Sequence, residues 1–180
     1  MLPRTGLRLA LASALFIPLL GAAPVHASPA CTISGTAGAN TLVGNDGNDV
    51  ICGKGGNDHI FGMGGNDIIY GGPGSDTIEG GLGDDTIHGG GGNDRIWGDG
   101  GSNTLYGDAD SDQIVGKGDN DKVYGGIGND KCLDVKDHES GDEIFGGPGT
   151  DHFIKDAFDY AVDAEVTGCT PPPEPPVPAS

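Results

Sequence analysis

GKGGNDHIF-GMGGNDIIY-GGPGSDTIE-GGLGDDTIH-GGGGNDRIW, residues 53–97, is one nine-residue unit written head to tail. Each copy opens on Gly, carries Asp at its sixth position and Ile at its eighth. The same frame runs from Gly44 to Leu133. Its sixth positions are Asp49, Asp58, Asp67, Asp76, Asp85, Asp94, Asn103, Asp112, Asp121 and Asp130. Its eighth positions are Ile51, Ile60, Ile69, Ile78, Ile87, Ile96, Leu105, Ile114, Val123 and Cys132. A weaker copy, Gly35–Val43, precedes the array with Asn40 and Leu42 in those slots. Asp134–Lys136 then breaks the phase, and two further copies bring Asp142 with Ile144 and Asp151 with Phe153. A short fixed period means a solenoid, because one unit cannot bury its apolar side alone and stacked neighbours can.

Within a unit the first six residues are turn formers. Gly takes a positive φ at no steric cost, and Asn and Asp tolerate it better than other residues. The last three, such as His59-Ile60-Phe61, are long enough for a short strand. Their middle side chain points to one face and its neighbours to the other. The eighth-position row is therefore the expected core, with positions seven and nine outside.

The pattern Gly-Gly-x-Gly-x-Asp-x-U-x, with U large and apolar, resembles the RTX, or hemolysin-type, calcium-binding repeat. The likeness covers about Gly35 to Ile154. It implies an all-β chain folded as a parallel β-roll, a β-solenoid with two repeats per turn and calcium held in the loops between stacked turns. Two repeats per turn would stack residues eighteen apart. Asp58, Asp76, Asp94, Asp112 and Asp130 then form one column, and Asp49, Asp67, Asp85, Asn103 and Asp121 the other. Carboxylates about 4.8 Å apart, the strand spacing, repel by roughly 1 kcal/mol in water and 3–4 kcal/mol at an effective dielectric near 20. A hard cation between the turns reverses that sign. Ca2+ takes six to eight oxygens in flexible geometry, whereas Mg2+ demands a smaller octahedral site. Zn2+ seeks His or Cys, which the sixth position lacks. The expected metal ligands are Asp49, Asp58, Asp67, Asp76, Asp85, Asp94, Asp112, Asp121, Asp130, Asp142 and Asp151. Asn103 offers an oxygen without the charge, so the sites beside it should be the weakest. On the order of six strong calcium sites are expected.

Composition agrees. The chain has 36 Gly in 180 residues, a net charge of −18 and only 35% hydrophobic residues. Such a thin core calls for help from bound metal, so folding is expected to be coupled to calcium. Lys and Arg are too few and scattered for a nucleic-acid footprint. No His-Glu-x-x-His, Gly-x-Ser-x-Gly or phosphate-binding loop occurs, and a non-enzyme is expected. His59, His88 and His152 fall on outward positions seven or nine. The ninth-position aromatics Phe61, Tyr70, Trp97, Tyr106, Tyr124 and Phe145 motivate an alternative, an adhesin-like or polysaccharide-binding surface. Edge packing within the roll is the simpler account.

Residues 1–27 read as a secretory signal peptide. Arg4 and Arg8 precede the apolar Leu7–Leu20, and Val25-His26-Ala27 offers a cleavage site. The apolar run falls short of a membrane span. A cleaved leader is similar to the small stand-alone secreted RTX proteins of actinobacteria. Residues 28–43 are expected to form an N-terminal cap with the degenerate repeat, 44–154 the roll, 155–169 a C-terminal cap strand and 170–180 a Pro-rich tail. Four Cys allow three pairings. Pairing neighbours, Cys31 with Cys52 and Cys132 with Cys169, would pin one cap at each end. The mature protein is expected to be an extracellular monomer whose partners are calcium ions.

Overall fold

The structure, a computed structural model, describes residues 30–134, 141–154 and 160–162, together with Pro173 and Pro176. The expected leader, most of the C-terminal cap and the tail lie outside them. The strands are β1 (Ile33–Ser34), β2 (Thr41–Val43), β3 (Val50–Cys52), β4 (His59–Gly64), β5 (Ile68–Pro73), β6 (Thr77–Leu82), β7 (Thr86–Gly91) and β8 (Arg95–Gly100). They continue with β9 (Thr104–Ala109), β10 (Gln113–Val115), β11 (Lys122–Ile127), β12 (Lys131–Asp134), β13 (Glu143–Phe145), β14 (Phe153–Ile154) and β15 (Tyr160–Val162). No helix occurs among the described residues.

Odd-numbered strands form one sheet in the order β1-β3-β5-β7-β9-β11-β13-β15, and even-numbered strands form the other, β14 through β2. All pairings are parallel. Consecutive units therefore alternate between sheets, and two of them complete a turn. Ile51 stands opposite Ile69 and Ile69 opposite Ile87 in one sheet, while Ile60 faces Ile78 and Ile78 faces Ile96 in the other. The eighth-position side chains from Ile51 to Val123, with Ile144 and Phe153, make a single buried row between the sheets. Between the sheets each described unit contributes one side chain to this row, so that interior is one side chain deep on each side.

Strands in the central turns run six residues, not three. They continue through positions one to three of the following unit. The first Gly of a unit is thus strand, and the true turn shrinks to the residues around positions four to six. The reason is inter-turn pairing: Gly72 stands opposite Gly90 and Gly81 opposite Asp99, just as the apolar residues before them pair.

The insertion Asp134–Lys136 leaves the columns intact. Val123 pairs with Ile144, an offset of 21 in place of 18, so the ladder of this sheet continues across the insertion. A register shift inside β12 accompanies it. Gln113 faces Lys131, but Val115 faces Asp134, and Leu133 stands opposite Phe153. Leu133 thereby takes the backbone register expected for Cys132. At the other end, Ile33 pairs with Ile51 and adds a half-turn ahead of the weak copy. Cys31 and Cys52 form a disulfide with Cα atoms 5.9 Å apart, which ties that half-turn to the next turn. The expected Cys132–Cys169 bridge lies outside the described residues.

The two outer faces differ. Ninth positions of the odd sheet are half-buried. In the even sheet Val43 is exposed at the edge, but Phe61, Glu79, Trp97 and Val115 are buried, although position nine was expected to face out. Phe61 and Glu79 line a cavity of about 240 Å³ with Met63 and Leu82, which come from the extended second halves of the same strands.

Candidate metal centre

Each sixth-position side chain is fixed by the turn before it. The backbone N–H of Asp58 donates to Asp76 Oδ1 at 2.7 Å, Asp76 to Asp94 at 2.7 Å, Asp94 to Asp112 at 2.8 Å and Asp112 to Asp130 at 3.0 Å. The second column repeats this from Asp49 to Asp67, Asp67 to Asp85, Asp85 to Asn103 Oδ1 and Asn103 to Asp121. Asp142 and Asp151 extend the columns across the insertion by accepting from Asp121 and Asp130. All eleven expected ligands and Asn103 are brought into these two columns, and all are buried.

One carboxylate oxygen is thus spent on structure. The other, Oδ2, is buried with no hydrogen-bond partner in Asp58, Asp67, Asp76, Asp85, Asp94, Asp112, Asp130 and Asp151. Buried charges without partners are costly, and a native fold pairs them or coordinates metal. These oxygens lie beside the first Gly of their own unit. A Cβ on Gly53, Gly71 or Gly89 would collide with Oδ2 of Asp58, Asp76 or Asp94 and crowd the carbonyl oxygen of the equivalent Gly one turn on. Positive φ is needed elsewhere, at positions two and four, as in Lys54 (79°), Gly56 (94°), Met63 (80°) and Gly65 (98°). The first Gly is therefore required by close approach, not by turn conformation.

Burial pushes the carboxyls up. Desolvation is the main cause, the backbone N–H bond opposes it, and neighbouring Asp residues add to it. Asp76 and Asp130 rise to about 6, Asp85 and Asp94 to about 7 and Asp112 to about 8. Such groups have too much negative charge for the donors around them.

The donor set fits a hard cation. It consists of carboxylate oxygens and backbone carbonyls stacked turn on turn, which matches the oxygen preference of Ca2+. No group of three or more His, Cys, Asp or Glu that could hold a metal occurs among the described residues. The other oxygens stacked beside the columns are backbone carbonyls, such as those of Gly71 and Gly89.

Asp49, at the N-terminal edge, differs from the others. Its Oδ1 accepts from Thr32 Oγ1 at 2.9 Å and its Oδ2 from Asn45 N and Nδ2 at 3.0 and 2.7 Å. Protein donors already surround it.

The fifth position carries a second ladder that the period alone did not reveal. Ser75 N donates to Asn57 Oδ1, Ser111 N to Asn93 Oδ1 and Thr150 N to Asn129 Oδ1. Asn66 N, Asp84 N and Ser102 N are received likewise by Asn48, Asn66 and Asp84. The signal was present as the recurrence of Asn, Ser and Asp just before the sixth position.

On the odd sheet, Tyr70, His88, Tyr106, Tyr124 and Phe145 stack face to face, with centroids 4.5–5.3 Å apart. His88 Nδ1 lies 3.1 Å from Asp108 Oδ2.

The sequence model of the RTX calcium-binding nonapeptide repeat matches in four copies, over residues 32–60, 53–78, 70–105 and 97–132, together more than half of the chain. A search of curated proteins gave no match. Among solved structures, the chain is similar to the solution structure of the AlgE6R3 subunit from the Azotobacter vinelandii mannuronan C5-epimerase. That match has 26% identity, a TM-score of 0.33 and covers 43% of this chain and 52% of that one. The chain thus aligns with about half the length of that subunit.

Proposed function

This chain belongs to the RTX calcium-binding nonapeptide repeat family, and from that membership we propose that it is a secreted protein whose β-roll forms when calcium enters its Asp columns. The column of buried Oδ2 atoms without donors carries this reading. Asp58, Asp67, Asp76, Asp85, Asp94, Asp112, Asp121, Asp130, Asp142 and Asp151 would hold the ions with backbone oxygens, and Asp49 would contribute least because Thr32 and Asn45 already satisfy it. Bound calcium supplies positive charge where stacked carboxylates otherwise repel. The protein supplies the spacing, through the Asp N–H to Asp Oδ1 ladder, and excludes water from the columns.

The Asp130–Asp151 and Asp121–Asp142 intervals add to those counted before the insertion, so calcium binding should exceed roughly six ions when saturated. Residues 1–27 act as a cleaved leader, 28–43 and 155–169 as caps and 170–180 as a tail. The Cys31–Cys52 disulfide suits an oxidising compartment. The protein acts as a monomeric module without catalytic activity of its own.

The polysaccharide reading draws less support. Rings from Tyr70 to Phe145 cover one another's faces, and Phe61 and Trp97 are buried, so few ring faces are free to stack on a sugar.

A calcium titration of the metal-stripped protein, followed by circular dichroism, tests the proposal. Strand signal should rise with calcium and not with equimolar magnesium. Full strand content in EDTA at neutral pH would overturn it.

A further inference from the structure

We infer that the Asn103 turn is a built-in calcium-free link, in which the side-chain amide makes the contacts that an Asp turn needs a cation to make. This rests on the calcium reading of the Asp turns. Asn103 Oδ1 accepts from Asp85 N at 3.0 Å, so the residue keeps its place in the column. Its second atom, Nδ2, sits where Asp residues place Oδ2. Nδ2 is the nearest atom to a Cβ built on Gly98, as Asp94 Oδ2 is to one built on Gly89. There the similarity ends. Nδ2 donates to the carbonyl oxygens of Asp99 and Gly101 at 3.4 and 3.3 Å.

Those carbonyls belong to the second and fourth positions of the same unit. In the Asp58, Asp67, Asp76, Asp85, Asp94, Asp112, Asp130 and Asp151 units, the atom beside the first Gly is an oxygen without a hydrogen-bond partner. An acceptor beside acceptors needs a cation between them, and a donor in the same place does not. The amide orientation follows from the network. Exchanging Oδ1 and Nδ2 would set a donor against Asp85 N–H and an acceptor against two carbonyls.

Neighbouring contacts close the turn further. Asp119 N donates to Gly101 O at 3.2 Å, so that oxygen is engaged twice. The Lys117 ammonium lies 3.6 Å from Asp99 Oδ1 and brings a fixed positive charge to the same loop. The second column is therefore divided. Asp67 and Asp85 lie on one side of the link, and Asp121 and Asp142 on the other.

A link that needs no metal should be the part of the roll that persists when calcium is withdrawn. It would hold two turns in register and give returning calcium a template, since folding of a repeat array propagates from a formed unit to its neighbours.

The test uses the full chain and two reciprocal variants. Hydrogen exchange in EDTA should show Thr104–Ala109 protected at least roughly tenfold more than Thr77–Leu82. Asn103→Asp should abolish that difference and bind about one more calcium by calorimetry. Asp94→Asn moves the amide into the other column. It should bind about one calcium fewer and gain protection around Gly89–Gly98 in EDTA. Uniform exchange across the metal-free array, or an Asn103→Asp isotherm identical to that of the parent, would overturn the inference. A parent that binds no calcium at all would instead defeat the family-based reading, while the exchange pattern in EDTA would still decide whether the amide holds its turn.

Discussion

Asp94 donates its backbone N–H to Asp112 Oδ1 at 2.8 Å while its own Oδ1 accepts from Asp76 N at 2.7 Å, so one residue both holds and is held by the turns on either side. The two oxygens of each such carboxylate divide the work. Oδ1 sets the spacing of the turns, and Oδ2 of Asp94 is buried without a hydrogen-bond partner.

Replacing Asp94 with Ala should therefore do two kinds of damage. It leaves Asp76 N–H buried without an acceptor, a cost of about 1–3 kcal/mol, and it removes a calcium oxygen. Asp94→Asn keeps the acceptor and exchanges the charged Oδ2 for an amide donor. In saturating calcium, urea unfolding should rank the parent above Asp94→Asn, and that variant above Asp94→Ala. Equal midpoints for the two variants would show that the Oδ1 bond contributes nothing.

The pH response of the metal-free protein should run opposite to ordinary acid unfolding. Asp76 and Asp130 are raised to about 6, Asp85 and Asp94 to about 7 and Asp112 to about 8, chiefly by burial. The folded chain thus binds protons more tightly than the unfolded chain, whose Asp groups titrate near 3.8. Protonation stabilises the empty roll fully below the unfolded value, and that stability is lost as pH rises through the folded values, between about 6 and 8. In EDTA, circular dichroism should show more strand at about pH 4.5 than at about pH 8. Calcium competes with the same protons, so its midpoint should climb as pH falls. More strand at the higher pH without metal would contradict this account.

Two glycines two residues apart should respond differently to the same change. A Cβ on Gly89 meets Asp94 Oδ2 and Gly107 O, whereas one on Gly91 meets nothing within 4 Å. Neither has a positive φ. Gly89→Ala should cost more than about 2 kcal/mol or weaken calcium binding several-fold. Gly91→Ala should be neutral or stabilise by about 0.4–1 kcal/mol through the unfolded chain. Thermal unfolding in calcium distinguishes the two, and a similar loss in both would refute the close-approach explanation.

The Cys31–Cys52 bridge closes a loop with a sequence separation of 21, worth roughly 3 kcal/mol in the chain-entropy model. Reduction should raise the calcium midpoint and fray β1 and β2 first, because a terminal turn has a neighbour on one side only. The central turns from Gly53 to Tyr124 contain no Cys and should still fold. A calcium titration in reductant, read by hydrogen exchange, provides the check.

The family-model match supports the parallel roll expected from the motif, and the Ile row and the Asp columns were legible because each unit writes them at fixed positions. Asp142 and Asp151 continue the columns across the insertion by accepting from Asp121 N and Asp130 N. What the sequence left open concerns contacts between turns. The strands run on through the first Gly, Oδ1 and Oδ2 play different parts, and Leu133 takes the register expected for Cys132. Thr32 and Asn45 satisfy Asp49, while the Asn103 amide satisfies its own loop. A period fixes which residues share a face, since that follows from local backbone alternation. The direction of each oxygen, and the atoms it meets, depend on the path of a chain segment eighteen residues away, and only the stacked backbone sets that path.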